Sequence, residues 1–494
     1  MNKILNIVKD RTLTYEQKVL SLARAAEDTL DVLNISKDIQ EYRDEGIICD
    51  LYEGHAPYRP RYIVPDYEKF MKQGSVFLGL KPPTDIWEAV NNLLILFRHV
   101  PSISSFPVYI GNLDLLLEPF ITDEKEAFHA IKLFLTNIDR TITDSFCHAN
   151  IGPLETRAGR IILKVERELQ TAIPNITLKY GEATSDCFAI DAINTALITA
   201  KPSFANHKMF SEELGKKYAI ASCYNGLYIG GGSYTLSRLN LAALAMKATT
   251  KEAFIEVVLP NAIERMVNYM DERVKFIVEE SGFFQSNFLV KEGLISQDRF
   301  TGMFGMFGLA ECVNHFINSE KQQHRFGYGK EANELGYDIM GKMEEVVSAH
   351  RNIYCEISHG KYLLHAQVGI DTDLGISPGC RIPIGEEPEI HAHLVQSAKF
   401  HKFFPSGIGD VFNFDSTVKN NPEYILDIIK GSFNEGLRYF SLYSTDCDVI
   451  RITGYLVKKS DMEKLNAGQV VLQDTVALGL GSVKNQRILE RKVR

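Results

Sequence analysis

Apolar residues recur at helical spacing through residues 14–35, where Val19, Leu20, Ala23, Leu30 and Leu33 fall on one side, and this predicts an amphipathic helix. Residues 87–97 and 125–138 predict two more, the second opened by the acidic pair Asp123 and Glu126. Between them and the first helix, residues 52–65 are rich in proline and aromatics and read as an irregular crossing. From residue 155 the pattern changes. A helix to about residue 172 is followed by a strand over 174–180, a helix over 186–200 and a strand over 218–222. Such alternation predicts βα units and a mainly parallel sheet, with chemistry gathered at strand ends. Residues 251–280 are strongly helical. Residues 299–316 carry Gly302, Gly305 and Gly308, a spacing that permits close contact with neighbouring backbone. Residues 389–393 read as a strand with His391 and His393 on one face, a geometry able to hold a metal but without a third ligand at a telling spacing. Asn421-Pro422 opens a helix that runs through Phe433. Beyond it, residues 448–458 form a β-branched strand run in which Gly454 stands alone.

Composition narrows the class. The 494 residues contain no linker-like or repetitive stretch, and 45% are hydrophobic, so one large α/β domain is expected. A net charge of −9 disfavours a nucleic-acid polymer or an anionic membrane as partner. The basic tail, residues 484–494, reads as a solvated helix end. Eight cysteines are scattered without C-x-x-C spacing, which argues against a zinc ribbon or a disulfide scaffold. The first residues lack a continuing apolar run, so no secretory signal is expected. A cytoplasmic protein with reduced thiols follows as the expectation. Gly230-Gly231-Gly232 lacks the Lys-Ser/Thr ending of a phosphate cradle and reads as a close-packed turn.

Gly454 is the residue whose setting asks for chemistry. A glycine weakens a strand, yet loss of its Cα hydrogen gives a radical shared between the adjacent amide nitrogen and carbonyl, and a residue without Cβ flattens with least crowding. Arg451-Ile452-Thr453-Gly454-Tyr455 resembles the Arg-Val-x-Gly-Tyr loop of glycyl-radical enzymes such as pyruvate formate-lyase. Tyr218-Ala219-Ile220-Ala221 before Ser222-Cys223, and Ser237-Arg238-Leu239-Asn240-Leu241-Ala242 downstream, resemble two further segments of that family in the same order. The best overall match is to its YjjI-like branch.

The resemblance implies a ten-stranded α/β barrel of two opposed five-stranded halves inside a helical shell, with residues 1–440 as the barrel domain and residues 441–494 carrying the radical loop to the interior. It implies a post-translational glycyl radical on Gly454 flanked by Arg451 and Tyr455, and a thiyl radical on Cys223, with Cys312 as the rival thiol. No metal is expected in this chain, which lacks the iron–sulfur ligands of an activase. A separate S-adenosylmethionine-dependent activating enzyme and a homodimer are implied as partners. Arg238 matches the arginine that holds a substrate carboxylate in formate-lyases, and a structural ion pair is the other reading. Asn240 and Glu311 are further substrate-binding candidates, and Arg157 and Arg160 weaker ones. Ser222 stands where formate-lyases have a first cysteine, and Asn225 where dehydratases have a glutamate base. The expectation is therefore a glycyl-radical enzyme that cleaves or rearranges a small polar, anionic substrate anaerobically. The alternatives are ribonucleotide-reductase-like chemistry on a nucleotide or nucleoside, and a catalytically silent barrel that serves as a binding protein.

Overall fold

The helix expected over residues 14–35 starts at Tyr15, where Thr14 and Gln17 close a reciprocal capping box, but ends at Glu27, so Leu30 and Leu33 lie beyond it. The computed structural model describes residues 3–50, 53–54, 56–100, 102, 106–366 and 372–494. Met1, Asn2, Tyr52 and His55, which entered the reading of the N-terminus and of the 52–65 crossing, lie outside them. Ile86–Phe97 and Glu124–Thr141 are helices with Asp85 and Asp123 as side-chain caps. Arg157–Leu169 and Asp186–Thr199 are also where the periodicity puts them.

The strands form two separate five-stranded sheets, and no ladder joins the two among the described residues. In the first, Gly231–Asn240 pairs antiparallel with Ile48–Cys49 and Tyr62–Val64, and parallel with Phe300–Phe307. Phe300–Phe307 in turn pairs parallel with Leu363–Ala366. In the second sheet, His148–Ile151, Asn175–Tyr180 and Ser203–Asn206 run parallel, Tyr439–Ser444 joins antiparallel, and Asp410–Phe414 completes the edge. Both sheets are buried, as a near-continuous apolar pattern requires when helices cover a sheet. Two small hairpins stand apart from these sheets: Tyr218–Ala221 with Asn225–Tyr228, and Val449–Arg451 with Leu456–Lys458.

The close-packed reading of Gly231 and Gly232 holds, since a Cβ on either would fall 2.0 Å from the Arg299 carbonyl oxygen or 1.9 Å from that of Tyr62. Four readings change. Tyr218–Ala221 is not a strand of the parallel sheet but one arm of an antiparallel hairpin that stands apart from it. Residues 389–393 do not form a strand: Ile390–His401 is a helix, in which positions two apart do not share a face. His393 is buried against Asp410 (2.8 Å) and His391 is exposed, so the two do not make a metal pair. Gly454 does not sit within a strand but at the tip of a hairpin. The basic tail is not solvated throughout. After the helix Thr475–Asn485, Arg491 turns inward and is buried, and the Arg494 amide bonds the Asn413 carbonyl at 2.8 Å.

Candidate active site

The strands Tyr218–Ala221 and Asn225–Tyr228 leave a three-residue tip, Ser222-Cys223-Tyr224. Ser222 turns the chain with φ +58°, a left-handed conformation that serine adopts at some cost. The tip is tied to its surroundings through its backbone. Ser222 N–H donates to the Val108 carbonyl (2.8 Å), and the Ser222 carbonyl accepts from His148 Nδ1 (3.1 Å). The Cys223 carbonyl accepts from the Tyr439 hydroxyl (3.1 Å). Below the tip, the Asn150 amide bonds both the N–H and the carbonyl of Ile220 at 2.8 Å. His148 Nε2 meets Thr177 Oγ1 at 2.7 Å, and burial pulls the ring's pKa down to about 3, so it is neutral.

The second hairpin brings Gly454 to the same point. Arg451 faces Leu456 across the ladder, and the tip closes when Ile452 N–H donates to the Tyr455 carbonyl at 3.0 Å. A Cβ built on Gly454 would fall 1.9 Å from Cys223 Cβ and 2.8 Å from its Sγ; the three nearest heavy atoms all belong to Cys223. No side chain fits there. Glycine is required by the approach of the thiol and not by a left-handed φ.

Polar contacts hold the Gly454 tip. Asn175, the first residue of a central strand, donates from Nδ2 to the Gly454 carbonyl (3.0 Å) and accepts from Arg451 at Oδ1 (3.2 Å). Arg451 also donates to the Ala200 carbonyl (2.7 Å). It is fully buried, two of its nitrogens have no hydrogen-bond partner among the described residues, and burial pulls its pKa down to about 10. Arg491 donates to the carbonyls of Arg451 (3.1 Å) and Ile452 (2.9 Å). The Tyr455 ring packs on Phe146, and its hydroxyl reaches Ser482 Oγ at 3.3 Å.

The chemistry this permits is set by the state of the thiol. Burial pushes Cys223 up to about 11, against the nearby Arg381 and Arg61 cations, so at neutral pH it is a thiol with a hydrogen to give. Its S–H points to Asn225 Oδ1 at 3.1 Å. Cys312, the rival, is buried in the helix Leu309–Ile317 and is not among the atoms facing Gly454.

The remaining sequence candidates divide. Asn225 is at the thiol, with its Nδ2 buried and without a partner. Ser222 is beside it. Arg238 makes a buried ion pair with Asp373 (2.6 Å) and lies over the Phe307 ring. Asn240 is occupied by backbone: it caps Leu241–Ala245 through Ala243 N–H (3.1 Å) and donates to the Gly46 carbonyl (3.2 Å). Glu311 accepts from Ser377 Oγ at 2.7 Å, and burial raises its pKa. Arg157 and Arg160 are half exposed and pair with Glu118 and Glu155. No group of three or more His, Cys, Asp or Glu suited to a metal ion occurs among the described residues. Sequence reasoning missed Asn175, His148, Tyr439 and Arg491. Neither Asn175, at the start of its strand, nor Arg491, near the chain end, carried a local signal.

Comparison with known proteins places this geometry in a family. An uncharacterized protein of Haemophilus influenzae is 46% identical over 501 residues, covering 100% of this chain and 98% of its own length. Among solved structures, hydroxyproline dehydratase from Clostridioides difficile, with trans-4-hydroxy-L-proline bound, superposes with a TM-score of 0.71 at 11% identity, covering 100% of this chain and 88% of that one. The anaerobic ribonucleotide reductase from Thermotoga maritima, with glycerol in its active site, gives 0.70 at 12% identity, covering 94% and 88%. At those identities the two likenesses speak for the fold alone, and the near-equal scores do not choose between their chemistries. The family model described as glycyl radical enzyme YjjI-like matches residues 13–494, and the chain belongs to that family of enzymes, which carry a post-translational glycyl radical.

Proposed function

We propose that Gly454 stores the radical and Cys223 uses it, on a small polar, anionic substrate whose bonds are then cleaved or rearranged. The observation that carries this reading is the contact itself: the Gly454 Cα packs against Cys223 so closely that a methyl group there would overlap the thiol-bearing carbon. Glycyl radical enzymes are activated by a separate S-adenosylmethionine radical enzyme, which here would remove one Cα hydrogen from Gly454. The glycyl radical takes the Cys223 S–H hydrogen, giving an intact glycine and a thiyl radical. The thiyl takes a hydrogen from a substrate carbon, and the substrate radical rearranges or cleaves. The product radical recovers the hydrogen from Cys223, and the thiyl takes one back from Gly454, so hydrogens and electrons balance over a turnover.

A dry, enclosed site supports this sequence, because both tips are buried. In this reading the two five-stranded sheets are the opposed halves of a ten-stranded barrel, and residues 441–494 are the unit that carries the radical to its centre. The test is anaerobic electron paramagnetic resonance after incubation with an activase, S-adenosylmethionine and a reductant. A doublet that collapses when Gly454 carries deuterium on Cα is the expected result. A doublet that survives that labelling, or none with an activase shown to work on another substrate protein, would overturn the assignment.

A further inference from the structure

Three polar side chains on the Cys223 hairpin and beside Tyr224 each keep one buried atom that has no hydrogen-bond partner among the described residues. Asn225 gives its Oδ1 to the thiol, while its Nδ2 is buried without a partner. His365, at the end of the strand Leu363–Ala366, has Nδ1 on the Ser406 carbonyl at 3.2 Å and a buried Nε2 without a partner. Because a carbonyl only accepts, Nδ1 carries the hydrogen in the neutral ring and Nε2 presents a lone pair. Arg381 donates from Nε to the Gly409 carbonyl (2.8 Å), while its Nη2 is buried without a partner. Its nearest carboxylate, Asp410, is 4.0 Å away and already holds His393 and Ser397 at 2.8 Å.

These groups share one wall. The Tyr224 ring, next to Cys223 in the chain, is flanked by the His365 ring at 5.7 Å and by the Arg381 guanidinium at 5.9 Å. Its hydroxyl is fixed to the Ala366 carbonyl at 2.8 Å, so the ring cannot swing to fill the space. A buried donor or acceptor left unpaired is costly, and one at the thiol with two more against the neighbouring Tyr224 ring mark where a ligand could supply the partners. Of the other guanidiniums nearby, Arg238 pairs with Asp373 and Arg61 with Glu53 at 3.0 Å, while Arg451 is held on the Gly454 side by Asn175 and the Ala200 carbonyl.

We infer that the substrate is a hydroxy carboxylate, held with its carboxylate on Arg381, its hydroxyl donating to His365 Nε2, and one oxygen accepting from Asn225 Nδ2. This rests on the proposed role of Cys223 and replaces Arg238 with Arg381 as the anion anchor. A guanidinium suits a carboxylate because its paired N–H groups match two oxygens, and low local polarity strengthens the contact.

The test uses the unactivated protein, so it is independent of the radical. Alkylation of Cys223 by iodoacetate and by iodoacetamide is followed by mass spectrometry, with 2-mercaptoethanol as the reference thiol. Both reagents need the thiolate, so the ratio of their rates cancels any change in thiol acidity and reports the local charge. The wild-type ratio is expected to exceed that of the reference thiol by about tenfold, to fall to the reference in Arg381→Gln, and to persist in Arg381→Lys and Arg238→Gln. Glycolate is expected to protect Cys223 from iodoacetamide at a concentration about tenfold lower than acetate, because a site built to bond a hydroxyl discriminates against its absence. A ratio unchanged in Arg381→Gln, a ratio lost instead in Arg238→Gln, equal protection by the two acids, or a Cys223 that neither reagent reaches would each overturn the inference. The glycyl doublet of activated Arg381→Gln, expected at wild-type yield, reports separately on the radical assignment.

Discussion

The two hairpins that meet at the site are built alike and anchored differently. Each has a short ladder and a buried tip, and each contributes one member of the proposed radical pair. The Cys223 tip is fastened by one backbone–backbone bond, from Ser222 to Val108, and by the side chains of His148 and Tyr439, and its strand by the side chain of Asn150. The Gly454 tip is fastened by side chains: Asn175 on one side, Arg451 beneath, and Arg491 from the final residues of the chain. Those contacts can be released without unfolding a sheet. The expectation is that the glycine tip, which lacks a backbone–backbone bond of the kind Ser222 makes to Val108, loosens before the thiol tip. That division suits a residue that a separate enzyme must reach once and a thiol that must meet substrate every turnover.

The comparison can be broken most completely at the tips. Gly454→Ala places a methyl 1.9 Å from Cys223 Cβ. The glycyl doublet is expected to vanish, and calorimetry is expected to show a loss of about 1–3 kcal/mol from overpacking. Cys223→Ser is expected to reduce turnover to background while the doublet forms at normal yield. If Cys312→Ser produced that split instead, the thiol would have been misassigned. Arg491→Ala leaves two buried carbonyls without their donor. It is expected to cost about 1–3 kcal/mol. Amide hydrogen exchange should rise at residues 452–456 and stay unchanged at residues 218–228; equal loosening of both hairpins would refute the difference in anchoring.

Smaller effects sharpen the picture. Burial lifts Cys223 to about 11, so the rate of its alkylation is expected to climb with pH toward a midpoint near that value. Because the folded state holds this proton more tightly than an unburied thiol, whose ordinary value is about 9, its contribution to stability is complete below about pH 9 and declines as pH rises toward 11. Ser222→Gly removes a left-handed serine. Stability is expected to change by no more than about 1 kcal/mol, since the relief of strain opposes the entropy of the added glycine.

The two helices packed beside the second sheet, its strand over 175–180 and both members of the proposed radical pair were legible in the sequence, for different reasons. The helices over 157–169 and 186–199 announce themselves by local periodicity, and their caps are written within three residues. Gly454 and Cys223 are legible because short segments in a fixed order resemble a known family. What was not legible depends on partners far along the chain. Arg238 meets Asp373 across 135 residues, and Asn175 meets Gly454 across 279. No local pattern marks either pairing. The stretch from 389 to 393 fits a two-residue period as well as a helix, and only its continuation to His401 decides. Arg491 looked like one more basic residue near a chain end, because nothing in its neighbours says that two carbonyls forty residues earlier need a donor.

The Asn175 amide has one more consequence. In the proposed scheme, once Gly454 loses its hydrogen, part of the spin density moves onto its carbonyl oxygen, the atom that accepts from Asn175 Nδ2. A donor there steadies the delocalised form, while Arg451 on the other end of the same amide keeps it from flipping. One asparagine thus sets how deep the stored electron rests, and so how uphill each loan to the sulfur must be.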